Sequence, residues 1–217
     1  MLTICYSAKG GQGCTSIAAA LALARRDSRL IDTTGDAAAV LGLPEAPGPG
    51  ICDLLADDQP VEIAAIERLA AHTSPVRIVG AGTITAAAVA EHRWVELAAI
   101  LTADRGAWFL DAGTNLAAAS VTADRTLLVI RNCYLALRRA VTHPVRPDGV
   151  VLVTESGRAL NAADVEAVVA APVVAEVAID PAVARAIDAG LFAARLPRTL
   201  AHNLAALSLI DEAGTHV

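Results

Sequence analysis

Three stretches of this chain are apolar at nearly every position and lack the alternation that marks a sheet with one wet face. They are Leu2-Thr3-Ile4-Cys5-Tyr6, Arg125-Thr126-Leu127-Leu128-Val129-Ile130-Arg131 and Gly149-Val150-Val151-Leu152-Val153-Thr154. Runs of this length read as strands buried on both faces. Helical patterns follow them, the first an alanine-rich segment from Ser16 to Arg26. Unalternating strands separated by helical stretches predict an α/β fold, a mostly parallel sheet covered by helices on both faces. With 217 residues, 55% hydrophobic content and a mean hydropathy of +0.51, the chain can bury a substantial core, and residues 1–217 are expected to form one domain. The apolar residues are spread along the chain, so no stretch is long enough to span a bilayer, and the start lacks the basic region of a secretory signal. A soluble, cytoplasmic location is expected. Pro44-Glu45-Ala46-Pro47-Gly48-Pro49-Gly50 is the clearest loop, and Leu200 to Val217 reads as a final helix with a frayed acidic end.

Chemistry enters through one charge. Lys9 is the only lysine; every other fixed cation is arginine. It stands in Ser7-Ala8-Lys9-Gly10-Gly11-Gln12-Gly13-Cys14-Thr15-Ser16, a glycine-rich loop between the first strand and the first helix. A compact ammonium on a flexible stem, set in a glycine loop, suits phosphate. Backbone N–H groups of the glycines and of the first helical turn, with Thr15 and Ser16, would converge on one anion, and glycine would let phosphate oxygens approach the backbone. The residues from Lys9 to Ser16 are the candidate cofactor-binding set. A plain glycine turn between strand and helix is the alternative.

Lys9-Gly10-Gly11-x-Gly13 resembles the deviant Walker A loop of the ParA/MinD group of P-loop ATPases, whose signature lysine directly precedes paired glycines. Three further segments extend the resemblance over nearly the whole chain. Arg29-Leu30-Ile31-Asp32-Thr33-Thr34-Gly35-Asp36 is similar to the family's second strand with its Asp-x-Asp element. Ala107-Trp108-Phe109-Leu110-Asp111-Ala112-Gly113-Thr114 looks like Walker B. Val173 to Pro181, with Ala186-Ile187-Asp188-Ala189-Gly190 behind it, resembles the last strand and its helix.

The resemblance implies ATP and Mg2+ as cofactors, with Thr15, Asp32 and Asp111 around the metal. It also implies Lys9 reaching a partner's nucleotide across a homodimer or filament. The implied role is plasmid or chromosome partition, or intracellular positioning, with DNA and a ParB-like adaptor as partners. Two positions depart from the pattern. Cys14 stands where the family has a second lysine, and Thr34 where it has the aspartate that positions water, so slow or absent hydrolysis is expected. Asp36 could replace that aspartate only if the loop folds differently. Thr154, Glu155 and Ala178 depart from the base-contacting pattern. The competing expectation is a pseudo-ATPase, an assembly or localisation module that no longer uses nucleotide.

The four cysteines, Cys5, Cys14, Cys52 and Cys133, have no metal-ligand spacing. Cys14 at a helix start beside Lys9 is expected to have its thiolate favoured, with a small tolerated residue as the alternative. A net charge of −6 argues against generic attraction to nucleic acid. Local arginines (Arg131, Arg138 and Arg139, then Arg185, Arg195 and Arg198) remain candidates for DNA contact, or are ordinary solvated faces. No basic amphipathic helix for a membrane surface is seen at the C-terminal end, which carries Asp211 and Glu212.

Overall fold

The computed structural model describes residues 1–45, 47–70 and 76–209. Its strands are β1 (Leu2–Tyr6), β2 (Ser28–Asp32), β3 (Arg77–Val79), β4 (Ala107–Gly113), β5 (Arg125–Arg131), β6 (Gly149–Thr154) and β7 (Val173–Ala178). They form one seven-stranded sheet in the order β3-β2-β4-β1-β5-β6-β7, and every pair is parallel. The α/β expectation holds, and the strand bounds read from β1, β5 and β6 coincide with the observed ones.

The lack of polar alternation has a direct cause, which is that both faces are covered. Leu2, Ile4, Tyr6, Leu110, Leu128, Ile130 and Leu152 belong to one apolar cluster, and Cys5, Leu30, Phe109, Leu127, Val129 and Val151 to the other. The first face packs under α5 (Glu91–Ala103), α7 (Tyr134–Val141) and α8 (Ala162–Val169). The second packs under α1 (Cys14–Ala24) and α10 (Arg198–Leu209). The mean hydropathy therefore reflects a doubly clad sheet. None of the described helices is long and apolar enough to cross a membrane.

The strand order places the chemistry. β1 lies between β4 and β5, so the connections on its two sides run in opposite directions. A doubly wound sheet has its ligand crevice at such a point, outside the carboxyl ends of the strands. The glycine loop leaves β1 there, flanked by the segments that follow β4 and β5.

Two helix starts differ from the sequence reading, and the expected proline-glycine loop is found. The first helix begins at Cys14, two residues earlier than expected, which changes the direction of the Cys14 side chain. The described part of 44–50 carries no helix or strand, as its prolines and glycines require, and Ala46 lies outside the described residues. The final helix α10 begins at Arg198, and its expected acidic end, 210–217, is outside the described residues. The short edge strand β3 and the small helices α2 (Ala37–Leu41), α3 (Ile51–Ala56), α4 (Ile63–Leu69) and α6 (Leu116–Ala119) carry too few residues for a periodic signal.

Candidate phosphate-binding site

The loop is pinned at its start. Ser7 N donates to Gly113 O at 2.7 Å, and Ser7 Oγ to Val129 O at 3.0 Å, which ties the exit of β1 to both neighbouring strands. The chain then turns through left-handed glycines, with φ +76° at Gly11 and +90° at Gly13, where a side chain would be strained. A Cβ built on Gly10, Gly11 or Gly13 meets no atom within 4 Å. Glycine is thus demanded at 11 and 13 by backbone conformation, and the space above the loop is open. Gly13 caps α1 without a side-chain hydrogen bond, so the first-turn N–H groups of the helix point at that space with no capping side chain.

These residues line a cleft of about 360 Å³, shared by Ser7, Lys9, the glycines, Thr15, Ser16, Thr34 and Asp36. All eight residues from Lys9 to Ser16 border this cleft. Two of them, Gln12 and Cys14, are largely buried. Gln12 is buried, with its amide engaged at both ends. Cys14 is buried against the sheet in the cluster that contains Cys5, Ile17 and Leu21. Lys9 is half-buried, and its Nζ donates to Gly10 O at 3.2 Å.

The expectation of a favoured Cys14 thiolate is overturned. Burial pushes the thiol well above its ordinary range, and the nearby Asp111 carboxylate and Cys5 push it further. The helix N-terminus and Lys9 offer less than desolvation of the buried side chain removes. Of the other cysteines, Cys5 and Cys52 are buried, while Cys133 is only partly covered.

Opposite the loop, Asp32 and Asp111 lie side by side in the β2–β4 register, and both are buried. Asp32 Oδ1 accepts from Thr34 N (2.8 Å), Thr34 Oγ1 (2.8 Å) and Gly35 N (2.9 Å), and Oδ2 accepts from Ala37 N (2.9 Å). A carboxylate has about four acceptor sites. Asp32 therefore shapes the turn after β2 and starts α2, with little left for a direct metal bond. Sequence reasoning could not count those partners.

Asp111 accepts from Gly113 N at 3.1 Å and from the side chains of Thr15 and Cys14. Thr34 Oγ1 lies 3.4 Å from its Oδ2. Burial raises the Asp111 carboxyl above its ordinary range; the hydrogen bonds from Thr15, Cys14 and Gly113 work against the rise, and the charge of Asp32 adds to it. Among the described residues no group of three or more His, Cys, Asp and Glu side chains could hold a metal. Asp36, exposed and on the cleft wall, follows the left-handed Gly35.

Next to the loop lies a second cleft of about 220 Å³, lined by Gly13, Ile17, Val153, Val177, Ile179 and Ile187 among others. Its apolar walls follow β6 and β7, the two strands whose base-contacting pattern this sequence lacks. The residues after β6 are held by another network, in which Glu155 pairs with Arg131 at 3.1 Å and with Arg158 at 2.6 Å. Of the candidate DNA-contacting arginines, Arg131 is thereby engaged, whereas Arg138, Arg139, Arg185, Arg195 and Arg198 are exposed.

No protein-family model matches the chain, and no curated protein matches it in sequence. Solved structures do match. A ParA family ATPase from Chlorobium tepidum TLS superposes with a TM-score of 0.77 at 17% identity, covering 96% of this chain and 97% of that one. The septum site-determining protein MinD complexed with Mg-ADP from Pyrococcus horikoshii OT3 gives 0.74 at 20% identity, over 98% and 96%. The MinC:MinD cell division protein complex of Aquifex aeolicus gives 0.74 at 16%, over 100% and 97%. The chain therefore has the fold of the ParA/MinD ATPases over nearly its full length.

Proposed function

We propose that the protein binds ATP with magnesium in the loop of residues 9–16 and uses it to drive self-association, with weak or absent hydrolysis, in partition of DNA or intracellular positioning of a cargo. The observation that carries this reading is the open glycine cradle at the switch point of the sheet, with the one lysine of the chain beside it. A nucleotide-sized ligand would have its phosphates over Gly10–Ser16 and its base in the apolar cleft beside Ile17. The matched MinD holds Mg-ADP on the same fold, and the MinC:MinD complex shows one such protein assembled with a partner.

The residues fit the anion better than the metal. Backbone N–H groups of Gly11, Gly13 and the first turn of α1 bind phosphate oxygens with the help of the helix dipole. The Lys9 Nζ leaves Gly10 O for a phosphate, either in its own cleft or in that of a facing copy. Magnesium bound with few carboxylates and with phosphate oxygens needs no dedicated protein cage. Thr15 Oγ1 and Asp111 are the groups that would hold it, and its charge would offset the desolvation of Asp111. Asp32 serves behind them, keeping the turn at 33–37 in place. Thr34 has no carboxylate with which to orient water, which is why turnover is proposed to be weak or absent. Exposed arginines on α7 and on α9 (Pro181–Asp188) are the candidate contacts for DNA, and an adaptor protein is the candidate regulator.

A second reading rests on Cys14 and Thr34, which both turn toward Asp111 and complete its hydrogen bonding without a ligand. On that reading the protein is an assembly or localisation module that uses no nucleotide. Titration calorimetry with ATP and magnesium, with light scattering on the same sample, separates the two. Binding at micromolar or weaker strength with a nucleotide-dependent rise in mass is expected. No heat and no thermal stabilisation at millimolar nucleotide would leave the second reading.

A further inference from the structure

Gln12 occupies the one variable position inside the glycine loop and is almost completely buried, at 4% exposure. A buried primary amide has to satisfy both ends, and here each end has a different partner. Its Oε1 accepts from the backbone N–H of Arg131 at 3.0 Å, and its Nε2 donates to Gly10 O at 3.2 Å. One bond therefore crosses from the loop to the last residue of β5, and the other closes the loop on itself. Arg131 is a well-anchored attachment point. The next residue, Asn132, is buried, and it fastens the end of β5 to the segment after β6: its Oδ1 accepts from Glu155 N at 2.8 Å, and its Nδ2 donates to Glu155 O and Leu160 O, each at 3.3 Å.

We infer that Gln12 is a positioning residue that holds the phosphate loop in its open shape without ligand. The Cys14 side chain packs in the cluster that contains Cys5 and Ile17 and bonds to Ser7 and Asp111, so it makes neither of the two bonds of Gln12. Gln12 is the only side chain within residues 10–13, the others being glycines with the greatest backbone freedom to lose. Its two bonds restrict Gly10 and tie the middle of the loop to the end of β5. They also leave Gly10 O with two donors, Lys9 Nζ and Gln12 Nε2, so Lys9 can leave for a phosphate without orphaning that carbonyl.

The test uses the full chain with Gln12→Ala and Gln12→Glu, read first by hydrogen exchange, which needs no ligand. Gln12→Ala is expected to speed exchange at the Arg131 amide, whose hydrogen bond Gln12 Oε1 accepts, by at least about tenfold, with the interior amides of Leu128 and Val129 unchanged. Gln12→Glu keeps an acceptor for Arg131 N although it loses the donor to Gly10 O, so Arg131 stays slow. Unchanged exchange at Arg131 in the alanine variant, or equal loss of its protection in both variants, overturns the inference.

Calorimetry with ATP–Mg, an arm that rests on the proposed nucleotide site, is expected to show roughly two- to tenfold weaker binding for Gln12→Ala. Gln12→Glu should be weaker still, because it adds a buried anion under the phosphates. Wild-type affinity in the alanine variant would remove the positioning role. If the wild-type protein itself binds no ATP–Mg, the nucleotide reading fails and exchange alone decides the role of Gln12.

Discussion

On one wall of the cleft, residues 9–16 present backbone N–H groups and a single ammonium to open space; on the other, Asp32, Thr34 and Asp111 bond to one another and to their own turns. The first wall is made of main chain. Its shape depends on two left-handed glycines, a helix start and the two bonds of Gln12. The second wall depends on side chains, and a single change there alters what it can do. The Thr34 hydroxyl bonds to Asp32 and approaches Asp111. A wall shaped by backbone geometry thus depends less on side-chain identity than a wall built from carboxylates and a hydroxyl.

The sharpest way to break this comparison is to remove the one charge on the backbone wall. Lys9→Ala is expected to weaken ATP–Mg binding by about ten- to a hundredfold, the equivalent of one charge-assisted hydrogen bond. It should also abolish the nucleotide-dependent rise in mass seen by scattering or sedimentation. Thermal stability without nucleotide should barely change, since the ammonium's bond in the free protein is an exposed one to Gly10 O. A variant with unchanged affinity would show that the main chain alone binds phosphate. A wild-type chain that stays monomeric at high protein and nucleotide concentrations would sink the cross-subunit role of Lys9.

A smaller effect is expected from restoring the missing groups. Cys14→Lys should tighten ATP–Mg binding by about tenfold, at a structural cost, because the new side chain starts inside the core and has to climb out along the loop. Overpacking of that kind costs about 1–3 kcal/mol, which at this chain length lowers the melting temperature by about 2–4 °C for each kcal/mol. Turnover should stay low until Thr34→Asp is added, and should rise in the double variant when measured as phosphate release. Unchanged affinity in Cys14→Lys would mean that the loop presents position 14 away from the phosphates even when a lysine stands there.

How much of this could be read from the chain follows from the kind of interaction involved. The buried strands, the glycine loop and the aspartate at the end of β4 announce themselves through composition over several residues, because doubly covered strands tolerate little polarity. The direction of Cys14 depends on a two-residue shift in the start of α1, and no local signal fixes a helix start when the cap is a glycine with no side-chain bond. The state of Asp32 depends on four partners brought by a turn, three of them backbone N–H groups that any sequence carries. Gln12 was legible only as the variable letter of a motif. Its role comes from Arg131, a residue more than a hundred positions away.

The smallest expected effect tests the carboxylate wall through its electrostatics. Burial raises the Asp111 carboxyl above its ordinary range. An acid with a raised value in the folded chain contributes stability that is fully present below its unfolded pKa and is lost as pH rises through its folded one. At neutral pH the nucleotide-free protein therefore carries a poorly solvated carboxylate, and Asp111→Asn should raise its melting temperature slightly. That gain should shrink as the pH falls through the acid range, where the wild-type group becomes protonated. With ATP–Mg the sign should reverse, because the metal's charge offsets the burial of Asp111 and has no such effect on asparagine. Thermal melts across pH, with and without ATP–Mg, read all three effects. A variant less stable than wild type at neutral pH without nucleotide would show that the bonds from Thr15, Cys14 and Gly113 outweigh burial, and that this wall is complete without a cation.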